Sequence, residues 1–169
     1  MKILSLDLST KSTGFAIFDG EQLVEYGCLT AISYQAIVRI KKIVNQILEL
    51  INKHNDIEKI IVEEVRPEND QRGVGNLRTH KVLMWLQAAL EFLIFDNFSS
   101  IKIEYIYPSE WRSKCGIHTG RGIHRETLKQ ADIKFVKDKY GILVNDDIAD
   151  AIGIGHAYIT KETNEINWE

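Results

Sequence analysis

Apolar positions in the first thirty residues follow the short, dense rhythm of strands. Residues 2–7 (KILSLD) and 13–18 (TGFAIF) are compact apolar runs separated by LSTKS, and 22–29 (QLVEYGCL) follows an Asp19-Gly20 turn. Together they predict an N-terminal three-stranded meander. The period then changes: from Ser33 to His54, Ile37, Ile40, Val44, Ile47, Leu48 and Ile51 recur at three and four, which predicts an amphipathic helix with Ser33 as its cap. Residues 59–64 form a β-branched run and predict a buried strand. A polar, glycine-containing stretch, RPENDQRGVGN, precedes a helical pattern from about Leu77 to Phe95.

Residues 101–107 alternate as a fifth strand, ended by Pro108-Ser109, which also suits a short helical turn through Trp111. Residues 116–124 (GIHTGRGIH) carry three glycines and read as a mobile loop. Helical patterns return at 125–140 and from 146 to about 160. The order β-β-β-α-β-α-β-α-α predicts an α/β fold: a five-stranded mixed sheet, its first three strands a meander, flanked by helices. Nothing resembling a linker or repeat divides residues 1–169, so one domain is expected.

The bulk properties agree with one core. The chain has 169 residues, 44% hydrophobic and 27% charged. It has no apolar run of membrane-spanning length, and MKILSLDLST reaches an acid and a hydroxyl cluster too soon for a signal-peptide core. A soluble cytoplasmic protein without a membrane partner is expected. Cys28 and Cys115 follow no metal or disulfide spacing and read as reduced thiols.

Net charge is −3, which alone argues mildly against a nucleic-acid partner. Its distribution argues the other way. Residues 110–140 hold eight Lys or Arg against four acids, and residues 66–81 add Arg66, Arg72, Arg78 and Lys81 against Glu68 and Asp70. A solvated helix face accounts for such charge equally well.

Four acids stand in apolar settings: Asp7 and Glu63 at the ends of strand-like runs, Asp147 and Asp150 one helical turn apart in DDIADAIGIG. An ionised group there is costly unless paired or bound to a metal. If the first strand lies mid-sheet, Asp7 and Glu63 become neighbours, and the spacing of Asp147 and Asp150 puts both on one helix face. Hard oxygen donors of this kind suit Mg²⁺ or Mn²⁺, and two ions about 3.5–4 Å apart would serve displacement at phosphorus. Each acid also has an ordinary alternative. Asp7 can cap the following loop, Glu63 or Glu64 can be the solvated member of the pair, and Asp146 or Asp147 can cap its helix.

On KILSLDLSTKSTGFAIF, IIVEEV and NDDIADAIGIGHAYI, the chain resembles the RuvC-like Holliday junction resolvases of the RNase H-like superfamily, particularly the short phage-borne versions. The resemblance runs over nearly the whole length in the right order. It places the catalytic and metal-binding carboxylates at Asp7, Glu63, Asp147 and Asp150. The last motif, Asp147-Ile148-Ala149-Asp150-Ala151, is the most specific.

The resemblance further implies a magnesium-dependent homodimer that cuts branched DNA, leaving a 5′-phosphate and a 3′-hydroxyl, with a basic residue near the scissile phosphate. The family's lysine in that region has no clear counterpart here. Arg125 is the favoured substitute, ahead of His124 and Arg121, because a guanidinium can clamp a phosphate bidentately. Arg72, Arg78, Lys81, Arg112 and Lys114 complete the expected DNA contacts. His156, on another face of the last helix, is expected to pack. The broad apolar surface around Leu83, Trp85, Leu86 and Leu90 suits both core and dimer interface.

Other classes fit less well. DLSTKSTG also resembles the phosphate loop of actin-like ATPases and sugar kinases, but those folds need about twice this chain. A YqgF-type nuclease shares the opening motif and is expected to be shorter, without the extended middle or the Asp147/Asp150 pair. A branched-DNA-binding protein without catalysis would gain by losing acids at a phosphate site, whereas all four are present.

Overall fold

The computed structural model describes residues 1–65, 74–120 and 122–166, and their side chains except those of 74–76 and 161–166. Strands β1 (Lys2–Asp7), β2 (Ser12–Asp19) and β3 (Gln22–Thr30) form the meander. Helix α1 (Ala36–Lys53) leads to β4 (Ile57–Glu63), followed by α2 (Val74–Asn97), β5 (Lys102–Ile106), α3 (Pro108–Lys114), α4 (Arg125–Tyr140) and α5 (Asp146–Ile166). The strands form one sheet in the order β3-β2-β1-β4-β5. The β1–β2 and β2–β3 pairs are antiparallel, whereas β1–β4 and β4–β5 are parallel. This is the mixed sheet expected from the sequence, with β1 in the middle.

Side-chain alternation on β1 and β4 divides the core in two. Leu4, Leu6, Ile60 and Val62 face α1 and α2, where they meet Ile43, Ile47, Leu86 and Leu90. Ile3 and Ile61 face the other way, into a second core with Trp111, Val136, Ile152 and Tyr158. The same period of two carries Asp7 and Glu63 onto the α5 side of the sheet, and Glu64 follows just past the end of β4. The parallel register, Leu6 opposite Val62, brings Asp7 and Glu63 side by side at the carboxyl edge.

Helix α5 crosses β1 and β2 at close range. Ser5 Oγ lies 2.7 Å from the Ala151 carbonyl and 3.2 Å from that of Ala16, so a buried hydroxyl joins helix to sheet. A Cβ on Gly14 would stand 1.8 Å from the Asp147 carbonyl oxygen, so only glycine lets the start of α5 lie against β2. A Cβ on Gly153 would meet the Trp111 ring at 2.5 Å. Gly14 thus sets the approach of α5 to β2, and Gly153 its approach to α3.

Several boundaries differ from the sequence expectation. Ser33 does not cap α1: the helix starts after Gln35, and Ser33 Oγ instead accepts a hydrogen bond from the Gln35 backbone N–H at 3.2 Å. Helix α5 is capped by Asn145, whose Oδ1 accepts from the Ile148 N–H at 3.0 Å, so neither Asp146 nor Asp147 is spent as the cap. His156 packs as expected, 2.8 Å from the Tyr140 hydroxyl and edge-on to Phe135. Among the described residues no helix is long and apolar enough to cross a membrane.

Candidate active site

The carboxyl ends of β1 and β4, the β1–β2 turn and the first turn of α5 open into one cleft of about 1060 Å³. Asp7, Glu63, Glu64 and Asp147 line it, together with Ser9, Thr10, Lys11, Arg39, Arg78 and Arg125. Asp150 lies one turn deeper on α5 and is partly buried.

Each acid is held differently. Asp147 Oδ2 accepts a 2.5 Å hydrogen bond from the Ser12 hydroxyl. Glu63 Oε2 accepts a 2.6 Å bond from the indole N–H of Trp111, a fully buried ring. Asp150 Oδ2 lies 3.4 Å from Arg112 Nη2, while Asp150 Oδ1 is buried without a partner. Asp7 accepts no side-chain hydrogen bond from the described residues. Burial, with Glu63 and Asp147 as like charges beside it, pushes the Asp7 carboxyl up to about 8. Burial, then the Asp7 and Asp132 charges, push Asp150 up to about 10. Glu63 is also raised by burial, against the opposing pull of the Trp111 hydrogen bond.

This donor set fits a divalent cation in its chemistry: hard oxygens, mutual repulsion, and an orphaned oxygen on Asp150. Among the described residues no three of these acids converge at ligand spacing. Trp111 holds Glu63 and Arg112 holds Asp150. Asp7, Glu63, Asp147 and Asp150 are the residues that would hold the ion.

The basic residues expected at the site separate into groups. Arg125, first residue of α4, lines the cleft, and its charge favours the ionised form of Glu63 against the effect of burial; Arg78 lines the cleft from α2. Lys81 lies 5.1 Å over the Trp85 ring on α2. His124 is exposed beside Arg125 and makes no side-chain cap. Arg72 and Arg121 lie outside the described residues.

Arg112, expected among the DNA contacts, lies within an internal ion-pair network. Its side chain is only 12% exposed and is spent on Asp132 and Asp150. Lys114 pairs with Glu110 at 2.8 Å on its own helix. Lys129 and Lys134 are likewise paired, with Asp146 and Asp138, so the basic segment is less available to phosphate than its charge count implied.

Three contributors escape a reading of the sequence. Ser12 and Trp111 are visible only once the fold places them against Asp147 and Glu63. Asp132 left a signal: it interrupts the i, i+4 apolar stripe Leu128–Asp132–Val136, and it is 1% exposed.

No family model matches this chain. Two strains of Ureaplasma parvum serovar 3 carry a protein named as a putative pre-16S rRNA nuclease that is 34% identical over 149 residues, spanning 85% of this chain and 92% of the relative. The match spans most of both chains, and the relative is only a little shorter than this one, so length does little to separate them. Among solved structures, Thermus thermophilus RuvC in complex with a Holliday junction superposes with a TM-score of 0.73 at 14% identity, covering 96% of both chains. The yeast mitochondrial Holliday junction resolvase gives 0.64 at 11% identity, covering 95% of this chain and 80% of that one. At these identities the structural likeness speaks for the fold, whereas the relative speaks for the lineage. The chain belongs to the family of the putative pre-16S rRNA nucleases, built on the RuvC-like form of the RNase H-like fold.

Proposed function

We propose that this protein is a divalent-cation-dependent endonuclease that hydrolyses phosphodiesters in branched DNA, using Asp7, Glu63, Asp147 and Asp150, two ions per site, and a homodimeric assembly. One observation carries the reading: three of these acids and two arginines with no ion pair among the described residues, Arg78 and Arg125, line a single open cleft. Carboxylates that repel one another beside guanidinium groups suit a polyanion that arrives with cations.

Bound Mg²⁺ or Mn²⁺ would supply Lewis-acid activation of the attacking water and of the phosphoryl oxygen. The chain's own residues do the rest. Arg125, at the amino end of α4, offers a planar fork to the non-bridging phosphate oxygens. Ser12 fixes the rotamer of Asp147, Trp111 that of Glu63, and Arg112 that of Asp150. The exposed apolar side chains of α2, among them Trp85 and Phe92, support pairing of two copies.

The 34% identity to a protein named for precursor rRNA favours a second substrate, structured RNA with single-stranded extensions. One experiment separates the two. Purified protein with Mg²⁺ or Mn²⁺ is given four-way and forked DNA and, in parallel, a hairpin RNA with single-stranded ends. Cuts in branched DNA that Asp7→Asn abolishes support the proposal. Cleavage confined to RNA transfers the activity to the second substrate, and no cleavage of either removes the nuclease reading.

A further inference from the structure

Between β3 and α1 the chain passes the mouth of the cleft, where Ile32 and Tyr34 are 89% and 107% exposed and both border the cleft that contains Asp7. Single exposed apolar residues are ordinary. The backbone beneath these two is not. Arg39, Lys42 and Gln46, spaced three and four along α1, form one row of donors. Arg39 Nη1 reaches the Ser33 carbonyl at 2.6 Å and that of Tyr34 at 3.3 Å, Lys42 Nζ reaches Ile32 O at 3.2 Å, and Gln46 Nε2 reaches Thr30 O at 3.0 Å. Arg39 also donates through Nε to Thr10 Oγ1 at 3.3 Å, which ties the row to the turn after Asp7. Ser33 Oγ closes the loop on the Gln35 N–H.

Contacts to four carbonyls, those of Thr30, Ile32, Ser33 and Tyr34, thus fix a loop whose two largest side chains stand exposed. A loop ordered only for folding would turn such side chains inward. This one presents them in advance, on a braced backbone, beside acids and arginines suited to a phosphodiester. An aromatic face next to a cationic backbone track is the pairing that holds unpaired nucleotides, because every base has a π-face.

We propose that Tyr34 is a stacking platform for an unpaired base of the substrate strand that enters the cleft, with Ile32 as the apolar shoulder beside it. The inference rests on the nucleic-acid-cleaving reading above and adds where the strand goes: across the β3–α1 loop. It also assigns selectivity. Substrates with an unpaired base next to the cut would gain from Tyr34, and continuous duplex would not.

The test uses forked DNA with 2-aminopurine at the unpaired position beside the branch, bound in Ca²⁺ by full-length wild-type protein and by Tyr34→Ala, Tyr34→Phe and Tyr34→Trp. Because the Tyr34 side chain is exposed, all variants should melt with the wild type. Tyr34→Ala should weaken binding to the fork about tenfold and leave duplex binding unchanged, while Phe and Trp retain fork affinity. Quenching of 2-aminopurine should appear with wild type, Phe and Trp, and vanish with Ala. Wild-type binding with Tyr34→Ala unchanged in affinity and quenching would overturn this inference alone. If the wild type binds neither DNA nor RNA, the nuclease reading falls and this inference falls with it.

Discussion

Arg112 grips Asp132 in the interior: its Nε lies 3.1 and 3.0 Å from the two carboxylate oxygens, and its Nη2 lies 2.9 Å from one of them. Nη2 then extends 3.4 Å to Asp150, and the guanidinium lies 4.3 Å over the ring of Trp111, whose N–H holds Glu63. Two adjacent residues of the short helix α3 therefore each hold one carboxylate of the site, and Asp132 orients the cationic member.

Removing Asp132 would leave a buried guanidinium with only the weaker influence of Asp150 and Glu63 to offset it. Breaking a buried pair costs about 3–5 kcal/mol, so Asp132→Ala should show a loss of that order in urea unfolding, and Asp132→Asn a smaller one. Cleavage should fall in both. A wild-type unfolding midpoint for Asp132→Ala would show that the pair is dispensable.

Trp111→Phe keeps a ring against Gly153 but deletes the donor to Glu63. A hydrogen bond to a charged group contributes about 1.5–3 kcal/mol, equivalent to a fall in kcat of roughly tenfold to a hundredfold if the bond matters in the transition state. Single-turnover cleavage measures it. Equal turnover in the variant would mean that Glu63 is positioned without the indole.

The acids also make stability depend on pH in a definite direction. Asp7 rises from an ordinary 3.8 to about 8 on folding, so the folded state binds a proton that the unfolded state has released across that interval. The stability this group contributes is full below pH ~4 and is lost as pH rises toward about 8. Asp146, lowered by its bond to Lys129, works oppositely, losing its contribution as pH falls. The comparison with Asp7→Asn isolates the first effect. Without metal, the variant should be more stable than wild type at pH 8–9, by about 1–3 kcal/mol, and the gap should close near pH 4. Added Mg²⁺ should raise the melting temperature of wild type more than that of Asp7→Asn. Parallel stability curves for the two proteins would contradict the charge crowding at this site.

Gly14→Ala places a methyl group where the Asp147 carbonyl stands, 1.8 Å from its oxygen. Backbone on both sides leaves no flexible end to yield. A stability loss of about 1–3 kcal/mol is expected, together with displacement of Asp147 and loss of cleavage. Thermal melting and a cleavage assay on the same preparation would read both, and an active variant of normal stability would contradict the close approach.

Periodicity and motif order carried much of this protein into view. The meander, the two parallel strands and the sequence of helices follow from local rhythm, because a strand's period of two and a helix's period of 3.6 are written in neighbouring residues. The spacing of Asp147 and Asp150 is of the same local kind. The tertiary structure decided what joins distant parts. It placed Asp7 beside Glu63 through the register of β1 and β4. It also gave the cap of α5 to Asn145, and took Arg112 from the surface into a buried network with Asp132. Those outcomes depend on which charges meet after 20 to 140 intervening residues have been packed. No local pattern encodes that meeting, because the energy of an ion pair or of a glycine contact belongs to the pair and exists only once the sheet and α5 have closed on each other.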